Sequence, residues 1–307
     1  MFYPNALKPG DRISIIAPSG VVDPEYVEKA RTILERWGLK VVLGEHLFKE
    51  YGRFAGTEQE RLYDLQNSLD SADIRAVFFA RGGYGVVGIL DRISLDKFKQ
   101  NPKWLIGYSD ITAVHSLISG AGICSLHAPM SAHLAEEGES DKASVLLRQV
   151  IFGEKPEYQI ESFPLNRTGS CSGYIRGGNL SVLAGLRGTP YDIQTENTIL
   201  FIEDINEQAY HIDRMMYNLK LGGILEKISG LIVGRFSDCK DDPLMNRTIY
   251  ESIFQLVEEY DYPVCFDFPV GHTKENYPII ENGMVLLNIS NANVNLKFTS
   301  ENYEFEL

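Results

Sequence analysis

Apolar and polar residues follow two different patterns along the first half of the chain, one typical of strands and one typical of helices. Short apolar runs predict five strands, at 12–17, 39–43, 74–80, 103–107 and 123–127. Between them, apolar residues recur at helical spacing, first behind Asp23 as a predicted N-cap and then behind a predicted capping box at Thr57 and Glu60. Strands that alternate with helices predict a parallel sheet with right-handed crossovers.

The second half of the chain is less regular. Its apolar runs predict strands at 198–202, 230–233, 284–288 and 294–298, the last of them antiparallel, with helices at 180–186, 209–219 and 244–260. The predicted fold class is α/β, with an N-terminal three-layer domain on a parallel sheet and a smaller C-terminal α/β domain on a mixed sheet. The predicted boundaries are 1–135, an interdomain connection at 136–170 with one helix near 143–151, and 171–307.

Composition narrows the classes of function. The 307 residues are 44% hydrophobic and carry a formal net charge of −13, which excludes an extended basic surface for nucleic acid. No apolar run approaches the roughly 18 residues of a membrane-spanning helix, and the N-terminus shows no secretory signal pattern. The four cysteines, Cys124, Cys171, Cys239 and Cys265, are widely spaced, as expected for reduced thiols in a cytoplasmic enzyme. No motif predicts a metal site.

The most informative segment is the turn at Ser109. The predicted strand 103–107 ends in a glycine, and a helical pattern begins directly behind the serine. A serine on a sharp strand-to-helix turn exposes its hydroxyl beside the positive end of the helix dipole, which suits a nucleophile in acyl transfer. The α/β-hydrolase elbow G-x-S-x-G is excluded because Ile111 stands where that motif has its second glycine.

A serine nucleophile needs a base and a group that orients the base. The candidate base is His272, on a loop after a strand-like run, although a simple hydrogen-bonded loop histidine remains an alternative, and His115 and His127 compete for the role. The candidate orienting acid is Glu203, directly after the predicted strand 198–202. Its alternative is an acidic first turn of the helix that follows.

A glycine-rich loop at 81–85 follows the predicted strand 74–80. Its backbone N–H groups fit a phosphate cradle or one arm of an oxyanion hole, and the alternative is a turn that only permits close packing. The phosphate interpretation is weak because no G-K-[ST] follows. The N–H of Asp110, one residue after the candidate nucleophile, would be the second oxyanion donor.

Taken together, these segments resemble the murein tetrapeptide LD-carboxypeptidases, a serine peptidase family that includes the microcin C immunity peptidases. The matching segments, in order along the chain, are 15–20, 80–85, 106–112, 127–130, 176–181, 201–204 and 271–272. One departure is Ala128, where family members often have glycine, and we expect it to affect packing more than chemistry.

The resemblance implies a Ser109–His272–Glu203 triad and an oxyanion hole made by the N–H groups of Asp110 and Gly83. It further implies a cytoplasmic homodimer that uses no metal or cofactor and releases terminal D-alanine from a muropeptide during cell-wall recycling. The candidate substrate-binding residues are Arg81, Tyr84, Arg176 and Asn179. Two alternatives remain: an immunity peptidase that cleaves an aminoacyl-nucleotide conjugate, and a non-catalytic module that binds a small ligand.

Overall fold

The computed structural model describes residues 1–299, and these residues form two compact units. The first unit comprises residues 1–154 together with 274–280, and the second comprises 155–273 and 281–299. The predicted α/β class with two sheets is confirmed.

The first unit is built on a six-stranded sheet, with strands and helices numbered along the whole chain. Its strands are β1 (Arg12–Ile16), β2 (Lys40–Leu43), β3 (Ile74–Phe79), β4 (Trp104–Gly107), β5 (Ser125–His127) and β11 (Ile279–Glu281). The order across the sheet is β11-β5-β4-β3-β1-β2, and β1 to β5 pair in parallel as predicted. The helices are α1 (Pro24–Arg36), α2 (Glu58–Asp70), α3 (Asp96–Gln100), α4 (Thr112–Gly120), α5 (Ser131–Glu137) and α6 (Lys142–Ile151).

Local sequence signals set the starts of the first two helices. The Asp23 carboxylate accepts the N–H of Glu25 at the start of α1, and Thr57 and Glu60 form a reciprocal capping box at the start of α2. Both satisfy backbone N–H groups that the first turn of a helix leaves unpaired, so both predictions are confirmed.

Strand β1 is buried on both faces of the sheet. Ile13 and Ile15 are fully buried on one face, and Ser14 and Ile16 are buried on the other. Loops at the carboxyl ends of β1, β3 and β4 therefore meet at one edge of a covered parallel sheet, where such folds bind ligands.

The second unit is built on a seven-stranded mixed sheet. Its strands are β6 (Glu157–Glu161), β7 (Gly169–Asn179), β8 (Thr198–Ile205), β9 (Gly230–Ser237), β10 (Val264–Cys265), β12 (Met284–Ile289) and β13 (Asn293–Phe298). The order is β10-β9-β8-β7-β12-β13-β6, with β7 to β10 parallel and β12, β13 and β6 antiparallel. The helices are α7 (Leu180–Gly185), α8 (Ala209–Leu221) and α9 (Ile249–Val257).

Two boundaries differ from the predicted ones. Helix α9 begins at Ile249 rather than at 244, because Thr248 and Glu251 form a capping box there and a separate short 3-10 turn covers Pro243–Met245. The predicted connection 136–170 is divided, since α6 lies in the first unit and β6 in the second. The chain then returns to the first unit at 274–280, which hydrophobic periodicity alone does not reveal.

Candidate active site

Ser109 occupies a strained turn in the first unit. Its φ of 67° lies in the left-handed region, which a serine rarely adopts. The residue follows the buried strand β4 and opens a 3-10 turn, Ser109–Ile111, that leads directly into α4. Strained backbone of this kind concentrates at functional sites. Tyr108 and Ser109 are partly exposed here, whereas Gly107 before them and Asp110 after them are buried.

The glycine loop lies directly against this turn. A Cβ added at Gly82 would stand 2.7 Å from Ser109 Cβ and 2.9 Å from its Oγ, so only glycine fits at this position. The same point is 3.3 Å from the backbone nitrogen of Asp110. Gly83 follows with a φ of 105°, a conformation that glycine adopts without strain. The two predicted oxyanion donors therefore belong to adjoining segments of one unit.

The Asp110 carboxylate joins three loops at the edge of the first sheet. Its Oδ2 accepts hydrogen bonds from Ser19 Oγ at 2.7 Å and from the backbone N–H of Val86 at 2.9 Å. Ser19 follows β1, and Val86 follows the glycine loop behind β3. Because Asp110 is 4% exposed, these charge-assisted bonds hold the nucleophile turn against both neighbouring loops.

The second unit brings His272 and Glu203 into direct contact. Glu203 is fully buried on β8, and its Oε2 lies 2.8 Å from His272 Nδ1. A carboxylate accepts hydrogen bonds, so Nδ1 carries the ring proton and Nε2 is the basic nitrogen of the neutral imidazole. Glu203 Oε1 has no hydrogen-bond partner within residues 1–299.

The backbone around His272 is fixed by the neighbouring strand β9. The N–H of Phe268 donates to the carbonyl of Val233, and the N–H of Arg235 donates to the carbonyl of Val270. Gly271 has a φ of 122°, and a Cβ there would approach Glu203 Cβ to 2.9 Å. The glycine therefore permits the close approach that places the ring on the buried carboxylate.

Opposing effects act on the pKa of His272. Burial lowers it, but the negative charge of Glu203, the hydrogen bond to Glu203 and the charge of Asp204 outweigh burial, so the net pKa lies above the ordinary value of 6.5. The carboxylate thus favours the imidazolium form of the ring, as the acid of a serine-peptidase triad does.

Asp204, next to Glu203, supports a different part of the second unit. Its carboxylate accepts Asn179 Nδ2 at 2.9 Å and the backbone N–H of Ser181 at 2.8 Å, which ties β8 to the start of α7. Burial and the neighbouring charge of Glu203 raise the pKa of Asp204 to about 6, although these hydrogen bonds oppose the shift.

The competing histidines lie in other settings. His115 is buried, with Nε2 2.8 Å from the Gly107 carbonyl oxygen and Nδ1 2.8 Å from Ser125 Oγ, and burial lowers its pKa to about 4. It therefore holds the end of β4 in place as a neutral ring. His127 is fully buried beside Tyr108, with the two ring centroids 5.7 Å apart.

The predicted substrate-binding residues fall into two groups. Arg81 and Tyr84 are exposed on the glycine loop of the first unit. Arg176 is 6% exposed, and its Nε donates to Asn282 Oδ1 at 2.6 Å. Asn179 is 4% exposed and caps α7. Burial and these partners favour structural roles for Arg176 and Asn179, whereas Arg81 and Tyr84 are accessible to a ligand.

Sequence reasoning missed Arg61 as part of the site's scaffold. This buried arginine of α2 donates from Nη1 to the Pro18 carbonyl at 2.6 Å and to the Gly85 carbonyl at 2.8 Å. It thereby joins the loop after β1 to the glycine loop. The only hint in the sequence was that both loops follow strand ends, which predicts a shared edge but not a partner from a helix.

Comparison with known proteins supports one family. Residues 13–128 match the LD-carboxypeptidase N-terminal domain and residues 172–287 match the LD-carboxypeptidase C-terminal domain. A probable murein peptide carboxypeptidase of Bacillus subtilis is 35% identical over 279 residues, covering 88% of this chain and 86% of that protein.

No helix within residues 1–299 combines the length and apolar character needed to cross a membrane.

Solved structures agree with this assignment. The muramoyltetrapeptide carboxypeptidase of Oxalobacter formigenes superposes with a TM-score of 0.86 at 28% identity, covering 94% of this chain and 99% of that one. The microcin C7 self-immunity protein MccF superposes with a TM-score of 0.85 at 22% identity, covering 95% of this chain and 97% of that one. At this identity the superposition shows a shared fold. With both domains matched in order and a relative more than one third identical, the chain belongs to the LD-carboxypeptidase family.

Proposed function

We propose that this protein is a serine LD-carboxypeptidase that removes terminal D-alanine from murein tetrapeptides during cell-wall recycling. The bond it cleaves joins an L-configured centre, diaminopimelate or lysine, to the D-alanine. The observation that carries the proposal is a serine at a φ of 67°, in a chain that also pairs a buried glutamate with a histidine at 2.8 Å. Within residues 1–299 none of the four cysteines forms a disulfide, which suits the reducing cytoplasm.

In the proposed mechanism, Ser109, His272 and Glu203 act as one triad. His272 Nε2 accepts the Ser109 hydroxyl proton while Oγ attacks the scissile carbonyl, and the N–H groups of Asp110 and Gly83 stabilise the oxyanion. The imidazolium, stabilised by Glu203, then protonates the departing D-alanine amine. Water, deprotonated by the same histidine, hydrolyses the acyl-enzyme and regenerates the serine.

The direct test is release of D-alanine from L-Ala-γ-D-Glu-meso-diaminopimelate-D-Ala by the purified protein. The same preparation is then incubated with an aminoacyl-nucleotide conjugate, the substrate class of the alternative immunity peptidase. We expect hydrolysis of the tetrapeptide and little of the conjugate, since both tryptophans, Trp37 and Trp104, are 4% exposed and unsuited to stacking on a base. Absence of both reactions would favour the non-catalytic binding module.

The proposed homodimer follows from the family resemblance and remains a prediction. Light scattering coupled to size-exclusion chromatography measures the molar mass in solution and compares it with the 34.5 kDa chain.

The pH dependence of activity should reflect the raised pKa of His272. Only the neutral ring can accept the serine proton, so kcat/KM should fall as pH decreases through that pKa. Because the charge of Glu203 and its hydrogen bond hold this pKa above 6.5, the acidic limb should lie above pH 6.5. A pH profile of kcat/KM on the tetrapeptide measures the limb, and a midpoint well below 6.5 would contradict the assignment of His272 as base.

Removing the Asp110 carboxylate should disorder the nucleophile turn. Asp110→Ala leaves Ser19 Oγ and the buried N–H of Val86 without their shared acceptor, so we expect kcat to fall by roughly 10- to 100-fold through misplacement of Ser109. Loss of the buried acceptor should also lower the free energy of unfolding by about 1–3 kcal/mol.

Asp110→Asn keeps the volume and one acceptor oxygen, so it should lie between wild type and alanine in both kcat and melting temperature. Steady-state kinetics and thermal denaturation measure the two effects. An unchanged kcat in the alanine variant would show that the carboxylate does not position the turn.

A further inference from the structure

The backbone at the tip of the glycine loop is held from its two ends. Residues 83–84 are exposed and, in the described part of the chain, form no hydrogen bond to another backbone group. The buried glycines on either side of them are anchored. The Gly82 carbonyl accepts the N–H of Gly20 at 3.1 Å. The Gly85 carbonyl accepts Arg61 Nη1 at 2.8 Å. The direction of the N–H at the tip, the proposed oxyanion donor, therefore depends on these two anchors.

Arg61 is the cation at the second anchor. It is 3% exposed, and its Nη1 donates to the Pro18 carbonyl at 2.6 Å as well as to Gly85. The guanidinium carbon lies 5.0 Å from the centroid of the Phe54 ring. Among residues 1–299 no carboxylate oxygen lies within 4.0 Å of its nitrogens, so two carbonyl groups and an aromatic face stabilise the buried charge. The position of this charge is therefore tied to the loops that carry those carbonyls.

Glycine is needed at both anchors. Gly85 has a φ of 139°, and a Cβ there would lie 2.8 Å from Arg61 Nη1 and 2.9 Å from Phe54 Cδ1. At the first anchor, a Cβ on Gly82 would meet Ser109. The loop thus has one glycine for its contact with the nucleophile turn and another for its contact with the arginine.

A single peptide unit joins Arg61 to the nucleophile turn. Its carbonyl, from Gly85, accepts a hydrogen bond from Arg61 Nη1. Its N–H, from Val86, donates to Asp110 Oδ2 at 2.9 Å. A peptide unit is planar, so bonds at both of its ends fix its orientation, and here both bonds are charge-assisted. Two buried ions of opposite charge thus hold one peptide unit between them, and Asp110 is the residue next to the candidate nucleophile.

We propose that Arg61 is a positioning residue for the reaction at Ser109. Through the Gly85–Val86 peptide unit it holds the glycine loop against the nucleophile turn and so directs the N–H of Gly83 toward the developing oxyanion. The proposal rests on the proposed function for the reaction and for the role of Gly83. Because an oxyanion donor acts on the transition state, loss of Arg61 should lower kcat and leave KM nearly unchanged.

The test measures kcat and KM on the tetrapeptide for two variants of this arginine. Arg61→Met removes the donor but keeps an unbranched side chain, and kcat should fall by about 10- to 100-fold with KM within about threefold of wild type. Arg61→Lys should recover part of the lost kcat, because an ammonium can still donate to both carbonyls. Arg61 Nε has no hydrogen-bond partner among residues 1–299, so lysine gives up no bond made by that atom. Wild-type kcat in Arg61→Met would overturn the proposal.

Lys103→Met is the matched control. Lys103 is 1% exposed in the same unit, and its Nζ donates to the carbonyls of Ser68 and Ser71, at the opposite end of α2 from Arg61. This variant likewise removes a buried cation from two carbonyl groups, so it should lower the melting temperature while keeping kcat at the wild-type value. An equal loss of kcat in Lys103→Met and Arg61→Met would show general destabilisation and overturn the positioning role.

A fluorophosphonate probe separates this proposal from the proposed function. The serine oxygen displaces fluoride from phosphorus, and the phosphoryl oxygen takes the place of the oxyanion, so labelling needs no peptide substrate. Slower labelling of Arg61→Met than of wild type and Lys103→Met would support the positioning role even if the tetrapeptide were not hydrolysed. Hydrolysis of the tetrapeptide with equal kcat in wild type and Arg61→Met would overturn the role and leave the peptidase standing. If wild type neither hydrolyses the tetrapeptide nor reacts with the probe, both proposals fail.

Discussion

Replacing Ser109 by alanine should abolish release of D-alanine from the tetrapeptide, lowering kcat by at least about a thousandfold. The variant lacks the oxygen that forms the acyl-enzyme, and no other residue in the proposed mechanism replaces it. The fold should survive, because alanine removes only the hydroxyl of a partly exposed side chain and keeps the Cβ already accommodated beside Gly82. D-alanine release and circular dichroism measure the two properties separately.

Two further variants sharpen this prediction. Ser116→Ala removes a partly exposed hydroxyl from α4, the helix behind the turn, and should keep wild-type turnover. Ser109→Gly should be as inactive as Ser109→Ala but melt at a higher temperature, because glycine adopts a φ of 67° without strain. Wild-type turnover in Ser109→Ala would exclude this serine as the nucleophile.

The first unit was largely predictable because its signals are local. The capping box at Thr57 and Glu60 and the cap at Asp23 each involve residues within one helical turn, and the structure shows both. The apolar runs of β1, β3 and β4 are buried inside the sheet, so each stands out as a continuous hydrophobic segment, whereas β2 at the sheet edge is only half-buried.

The sequence pattern does not predict strand β7, and the reason is physical. Its sequence is rich in glycine, which normally disfavours strands. The structure shows why glycine is needed: a Cβ at Gly173 would lie 2.5 Å from the Asn197 carbonyl oxygen, and one at Gly177 would lie 1.8 Å from that of Phe201. Close approach to another part of the chain decides these positions, and a single sequence does not display such contacts.

The candidate site also contains some features that local sequence predicts and others that depend on contacts between distant segments. The Ser109 turn follows from a strand, a glycine and a helix that are adjacent in sequence. The contact between Glu203 and His272 spans 69 residues and was one of several alternatives on sequence grounds. For Arg176 the sequence predicts a substrate-binding residue, because its buried partners Thr198 and Asn282 come from distant segments that a single sequence does not connect to it. The catalytic roles of the three triad residues remain predictions until variants are measured.

Glu203→Gln should lower kcat on the tetrapeptide by roughly a thousandfold to ten-thousandfold while leaving the fold intact. The amide cannot stabilise the imidazolium of His272, and its NH₂ group can hold the ring in the tautomer that lacks a basic Nε2. Burial lowers the pKa of His272, and the charge of Glu203 and its hydrogen bond raise it. The residual activity should therefore have its acidic limb at lower pH than wild type.

A second glutamate–histidine pair supplies the matched control for this variant. Glu207 Oε2 lies 3.1 Å from His211 Nδ1, but this pair is an i,i+4 contact on the partly exposed start of α8. Glu207→Gln should change neither kcat nor the pH profile, because it makes the same chemical change outside the proposed triad. If Glu203→Gln kept wild-type kcat and the same acidic limb, Glu203 would not be the orienting acid. If both glutamine variants lost activity equally, the loss would reflect general damage to the second unit rather than removal of a catalytic carboxylate.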